Sequence, residues 1–159
     1  MTWLLGSRLH FGDFGAVLES RTRFVLRGRA GCHNDTVNQR IYAFDHADGV
    51  LTGKRLFAET TEGFADGPSV DCAGVVHVGL FNGSGVARFT PSGESLGKIP
   101  FPVATVTKAA FGGDDLRTLF CTTAWLGQSD ETRRAQPGLG GLYRTRVETP
   151  GLPQSLAAA

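Results

Sequence analysis

Residues 65–80 read ADGPSVDCAGVVHVGL, and residues 106–124 read VTKAAFGGDDLRTLFCTTA. Each is a short apolar strand, a Gly/Asp turn and a second apolar strand. A further strand pair follows each, GVARFTPSGESLGKIPFP at 85–102 and GGLYRTRVETPGLP at 140–153. An earlier copy of that second pair, RIYAFDHADGVLTGKRLFA, stands at 40–58. The unit recurs every ~40 residues or slightly more, which is the spacing of four-stranded propeller blades. The repeat predicts an all-β chain carrying about two and a half such blades.

The local grammar supports strands throughout. Ile41–Phe44 is apolar and aromatic, Asp45–Gly49 supplies turn chemistry, and Lys54–Ala58 reads as the return strand. Phe64–Pro68 is a tight segment leading into Ser69–Asp71, and Cys72–Gly74 turns into Val75–Leu80. Asn82–Gly85 is a hairpin signal ahead of Val86–Phe89. Phe111–Asp115 separates strands at Thr107–Ala110 and Thr118–Thr123. Gln128–Gly140 is expected to be a long polar loop, and Leu142–Val147 a last strand.

Composition agrees. The chain has 159 residues, 41% hydrophobic and 19% charged, with 22 Gly, values of a turn-rich globular domain. A net charge of +1 gives no strong field for nucleic acid or an anionic membrane, so neither partner is expected. The Arg cluster within Arg21–Arg29 reads as a solvated loop. Cys32, Cys72 and Cys121 are odd in number and show no metal-binding spacing. They read as reduced thiols on or near strands, which places the protein in the cytoplasm. The start MTWLLGSRLH lacks a basic region followed by a long apolar core, and no apolar run is long enough to span a bilayer.

Residues 1–33 do not follow the repeat. Inner strands are expected ahead of Arg40, where the sequence reads LESRTRFVLRGRAGCHND. Only the stretch around His33–Thr36 resembles the close of a strand. Three regions result: a divergent or non-native start at 1–33, the repeat region at 34–153, and a tail at 154–159.

The repeat region resembles the C-terminal half of the gluconolactonase and regucalcin (senescence marker protein-type) family. The matching residues are YAFD at 42–45, the segment Gly63–Gly67, VDCAGVVHV at 70–78, FTPSGE at 89–94, IPFPV at 99–103, FGG at 111–113, LFCTTA at 119–124 and QPGLGGLY at 136–143. The resemblance implies a partial six-bladed β-propeller. It also implies an axial divalent metal (Ca, Zn, Mg or Mn) held by carboxylate and amide oxygens. The implied activity is hydrolysis of sugar lactones or related esters, with a small sugar lactone as partner.

Asp66 matches the family's Asp in a Pro-Asp-Gly motif, which implies a metal ligand and general base. It stands at the head of an inner strand, with Gly67 expected to turn the backbone beside it, and hard cations take oxygen ligands of this kind. Ala65, Pro68 and His77 depart from the family pattern, which has Pro, an apolar residue and Trp there. The family's Asn-Gly motif some fifty residues earlier is not found, Glu19 lacks the context of the N-terminal Glu ligand, and Asn82 sits elsewhere in a blade. The sequence therefore predicts impaired activity. The alternative is a non-catalytic propeller fragment or interaction module that self-associates through exposed strand edges.

Other constellations have simpler readings. Ser69, Asp71 and His77 suggest a triad, but no strained nucleophile elbow accompanies them. Asp114 and Asp115 are expected to cap a turn. Asn82–Gly85 lacks the following helix that a phosphate cradle needs. Trp125 is expected to pack against the 126–140 loop.

Overall fold

The computed structural model describes residues 23–26, 30–47 and 50–153. Among these, in chain order, lie β1 (Arg23–Leu26), β2 (Ala30–Asp35), β3 (Arg40–Ala47), β4 (Val50–Glu59), β5 (Phe64–Val70), β6 (Val76–Phe81), β7 (Gly85–Phe89), β8 (Ser95–Pro100), β9 (Val106–Gly112), β10 (Thr118–Thr123), α1 (Asp130–Ala135) and β11 (Leu142–Arg146). Among the described residues the fold is all-β apart from that one short helix.

The first sheet has the order β1-β2-β3-β4, and every neighbour is antiparallel. The second has the order β11-β10-β9-β5-β6-β7-β8. It consists of two antiparallel meanders, β5–β8 and β9–β11, joined where β5 and β9 run parallel at the single pair Gly67↔Lys108. Antiparallel units whose leading strands lie side by side and parallel are consistent with part of a propeller.

The middle unit is covered on both faces. Cys32, Ile41, Ala43 and Ala58 of the first sheet pack against Ala65, Val70, Val76, Val78 and Phe89. On the other side Val86 and Phe101 pack with Val106, Ala109, Phe111, Leu119 and Cys121. This explains why β6 is buried at five successive positions, Val76 to Leu80. A strand with two covered faces needs a continuous apolar run rather than alternation. Each such Val contributes about 1.5–3 kcal/mol on burial. By contrast β4, at the edge of its sheet, is exposed from Val50 through Leu56.

Glycine allows the closest approach between units. A Cβ at Gly67 would meet Lys108 Cδ at 2.3 Å and the Thr107 carbonyl at 2.9 Å, and one at Gly79 would meet the Thr107 carbonyl at 2.9 Å. Gly67 therefore serves as a contact point for β9 inside a strand, where the sequence suggested a sharp turn.

Three further expectations change. Phe64–Pro68 is part of a strand, because its backbone pairs with β6. Strand β3 runs on through Ala47, into the stretch read as a turn. The 128–140 loop contains α1, started by Ser129, whose side chain accepts a hydrogen bond from the Thr132 N–H. That is an N-cap signal of the ordinary kind, Ser followed by Asp-Glu. Strand β1 pairs with β2, and β2 pairs with β3 from Ala30 through Asp35. Residues 1–22, 27–29 and the 154–159 tail lie outside the described residues, as do Glu19 and Arg21. Among the described residues no helix is long and apolar enough to cross a membrane.

Candidate functional site

The segment Ala65-Asp66-Gly67-Pro68 forms a β-bulge. Between the pairs Ala65↔Leu80 and Pro68↔Val78, β5 has two residues, Asp66 and Gly67, where β6 has only Gly79. An extra residue re-aims a side chain and frees backbone groups from the ladder. Two carbonyls at and beside the bulge find partners on other strands. Asn34 Nδ2 of β2 donates to the Asp66 carbonyl, and Lys108 Nζ of β9 donates to the Pro68 carbonyl. One residue earlier, Thr36 Oγ1 donates to the Ala65 carbonyl at 2.8 Å. The head of β5 is thus gripped from the sheet on one side and the strand on the other.

Asp66 is half-buried. Burial pushes its carboxyl up to about 6, although a hydrogen bond from the Gly67 backbone and the Lys108 charge pull the other way. Burial lowers the Lys108 ammonium, and the Asp66 charge raises it in return. A carboxylate that titrates near neutrality is suited to accept a proton from water.

The surrounding loops share one end of the molecule. Phe64↔Phe81 sets the head of β5 beside the tail of β6, and Val106↔Thr123 sets the head of β9 beside the tail of β10. The loops leaving β6 and β10 are therefore at the Asp66 end. Gln128 Nε2 donates to Asn82 Oδ1 at 2.8 Å and links the two loops. Gln136 Oε1 accepts from the Ala104 N–H at 2.9 Å. Trp125 is 55% exposed, with the Arg133 guanidinium 4.4 Å over its ring. It packs against the α1 segment on one face and lies beside Gly140 at its Cδ1 edge.

His77 and Asp71 belong to the core. Their side chains meet at 3.1 Å with 5% and 3% exposure, and His77 stacks edge-on against Phe111 at 5.0 Å. Asp71 Oδ1 also accepts from the Ala73 and Val75 N–H groups. Ser69 is the cross-strand partner of His77, but His77 Nδ1 has no hydrogen-bond partner. The three residues do not make a triad. Asp115 caps its turn, accepting from the Arg117 N–H at 3.1 Å and pairing with Arg146 at 2.6 Å. Asn82 takes a φ of 60° in its turn.

Donor chemistry tests whether a divalent cation fits. Among the described residues no three His, Cys, Asp or Glu side chains gather into a metal cluster. Asp66 offers hard carboxylate oxygens. The buried Asn34 Oδ1 has no hydrogen-bond partner, and it belongs to the amide that holds the Asp66 carbonyl. Hard oxygens of this type fit Ca²⁺, Mg²⁺ or Mn²⁺ in kind. The sequence reading missed Asn34 and Lys108, whose only signal was polarity on apolar strands.

Residues 24–125 match the family described as SMP-30/Gluconolactonase/LRE-like region. The 6-deoxy-6-sulfogluconolactonase of Pseudomonas putida is 36% identical over 130 residues, 79% of this chain and 45% of that protein. The pentonolactonase XacC of Haloferax volcanii is 34% identical over 121 residues, 71% of this chain and 41% of its own. The crystal structure of a calcium-binding protein, regucalcin, from Agrobacterium tumefaciens superposes with a TM-score of 0.80 and 23% identity. The match covers 87% of this chain and 49% of that one, a likeness of fold. The chain spans less than half the length of the curated relatives it matches. With a family match over well more than half of its residues, this chain belongs to the SMP-30/gluconolactonase/LRE-like family.

Proposed function

We propose that the chain is the part of a six-bladed propeller lactonase that carries the catalytic carboxylate, with Asp66 as general base and metal ligand. The β1–β4, β5–β8 and β9–β11 units are then consecutive blades, β5 and β9 being innermost strands. The repeat region at 34–153, extended back to the β1–β2 pair, forms these blades. The observation that carries the reading is the bulge that presents a half-buried, proton-accepting Asp66 at the head of an inner strand. Relatives named as sugar lactonases support the substrate class.

In the proposed reaction Asp66 takes a proton from a water molecule as its oxygen bonds to the lactone carbonyl carbon. The ring C–O bond then breaks, and the ring oxygen leaves as a hydroxyl after receiving a proton, giving an open hydroxy acid. A bound divalent cation would polarise the carbonyl. The Lys108 charge partly offsets the effect of burial on Asp66 and, through the Pro68 carbonyl, fixes the backbone that bears it. The free thiols Cys32, Cys72 and Cys121 support a cytoplasmic setting.

Lactone hydrolysis with added Ca²⁺, Zn²⁺, Mg²⁺ or Mn²⁺ tests this directly. Asp66→Ala is expected to lower kcat/KM by about 10²–10⁴-fold. Equal rates for the two proteins remove Asp66 from the mechanism.

One observation favours the second reading, an interaction module. Edge strand β4 exposes Val50 (58%), Leu51 (37%) and Leu56 (53%). An apolar open edge is a template for strand addition.

A further inference from the structure

We infer that Asn34 is a second ligand of the cation proposed at Asp66, contributed through its side-chain Oδ1 from the neighbouring sheet. The inference rests on the reading of Asp66 given above and names a further residue of the same site.

Asn34 lies on β2, opposite Ile41 of β3. It is only 2% exposed, in a wall of apolar residues that includes Cys32 and Ile41. An amide at such a place satisfies all its polar atoms or has a reason not to. Its nitrogen donates to the Asp66 carbonyl. This bond fixes the orientation of the amide, because the opposite orientation would set oxygen against oxygen. Its oxygen is buried and without a partner, and among the described residues it is the one buried side-chain oxygen in that condition. Amide O and N are a bond angle apart, so Oδ1 lies next to the residue whose carboxylate is the proposed ligand.

The strand that carries Asn34 is held in place. Thr36 Oγ1 bonds the Ala65 carbonyl at 2.8 Å, and Thr36 is itself 5% exposed. Two successive carbonyls at the head of β5 are thus tied to the end of β2 and to the turn that follows it. A neutral amide oxygen and a carboxylate from facing strands make the mixed oxygen set that Ca²⁺ accepts, with waters and other oxygens completing its shell. A ligand whose second atom is anchored by a hydrogen bond is already oriented for the ion.

Calorimetric titration of the full chain with Ca²⁺ and Mn²⁺ tests the assignment, with melting temperature in EDTA and in Ca²⁺ recorded for each variant. Wild type is expected to bind saturably, and Asp66→Asn to lose that binding. Asn34→Ala should weaken it roughly 10–100-fold. Asn34→Asp should bind at least as tightly as wild type, because it keeps an oxygen there and adds a charge, although it can no longer donate to the Asp66 carbonyl. In wild type the Asn34 side-chain amide resonances should shift on Ca²⁺ addition, a readout that needs no variant to fold. If Asn34→Ala binds like wild type, or Asn34→Asp binds as weakly as Asn34→Ala, or the amide resonances do not move, Asn34 is no ligand and the Asp66 reading stands. If wild type shows no saturable binding, or Asp66→Asn binds unchanged, the reading of Asp66 falls and this inference with it.

Discussion

Burial lifts the Asp66 carboxyl to about 6, from an ordinary value of 3.8. The folded chain therefore holds that proton more tightly than the unfolded one. The stability this contributes is full below about pH 3.8 and is lost as pH rises through about 6. Without a divalent cation, Asp66→Asn should therefore be more stable than wild type at neutral pH, by on the order of 2 kcal/mol. Urea unfolding at pH 7 in EDTA measures it, and a less stable variant would contradict the burial account. His77 works the other way. Burial lowers its value, against the pull of Asp71. The unfolded chain takes up that proton more readily, so stability falls as pH drops through about 6.5 and below. His77→Leu should lose this acid-side slope while also destabilising the core, because Asp71 Oδ2 then lacks its 3.1 Å partner. Melting temperatures from pH 5 to 8 for both proteins separate the slope from the offset. The Asp66 assignment comes from its motif, and His77 entered the sequence reading as a departure from the family pattern. That reading grouped Asp71 and His77 only within a triad that it set aside; their buried pairing depends on how the turn after β5 folds back.

At the level of the element, the β5 bulge is the feature that sets the site. The sequence showed its ingredients, Gly67 and a donor-free Pro68, and a strand Pro commonly marks a bulge or an edge. What the residue string could not show is that β9 passes so close to Gly67 that a methyl group has no room. Gly67→Ala should destabilise the fold by about 1–3 kcal/mol. Adding Lys108→Ala should not restore the loss, because the backbone carbonyl of Thr107 is also within 2.9 Å of the new Cβ. Full rescue in the double variant, measured by denaturant unfolding, would show that only the flexible lysine was in the way. The α1 helix was a miss of a different kind. Six residues with none buried carry no apolar periodicity, so only the Ser129 cap and the charge order, Asp130 and Glu131 first and Arg133 and Arg134 last, could have shown it.

Over the whole molecule, the units differ in how completely their neighbours cover them. The β5–β8 unit has a partner on each face, whereas β4 shows Val50, Leu51 and Leu56 to solvent and β11 shows Leu142 at 66% exposure. On the self-association reading, the chain should sediment as a concentration-dependent mixture, and Leu56→Lys should shift it toward monomer. A monomer at all concentrations, for both proteins, would remove that reading.

Strand grammar, turns, the repeat and the Asp-Gly motif were all determined by the sequence itself, because alternation and turn chemistry are local and survive in the order of residues. The convergence of Asn34, Asp66 and Lys108 was decided only by the tertiary structure. Asn34 and Asp66 are 32 residues apart, and Lys108 and Pro68 are 40 apart. Their contacts exist because the packing of neighbouring units brings a donor to the carbonyl of Asp66, inside the bulge, and to that of Pro68 beside it. Local pattern carries no information about which distant strand will arrive there.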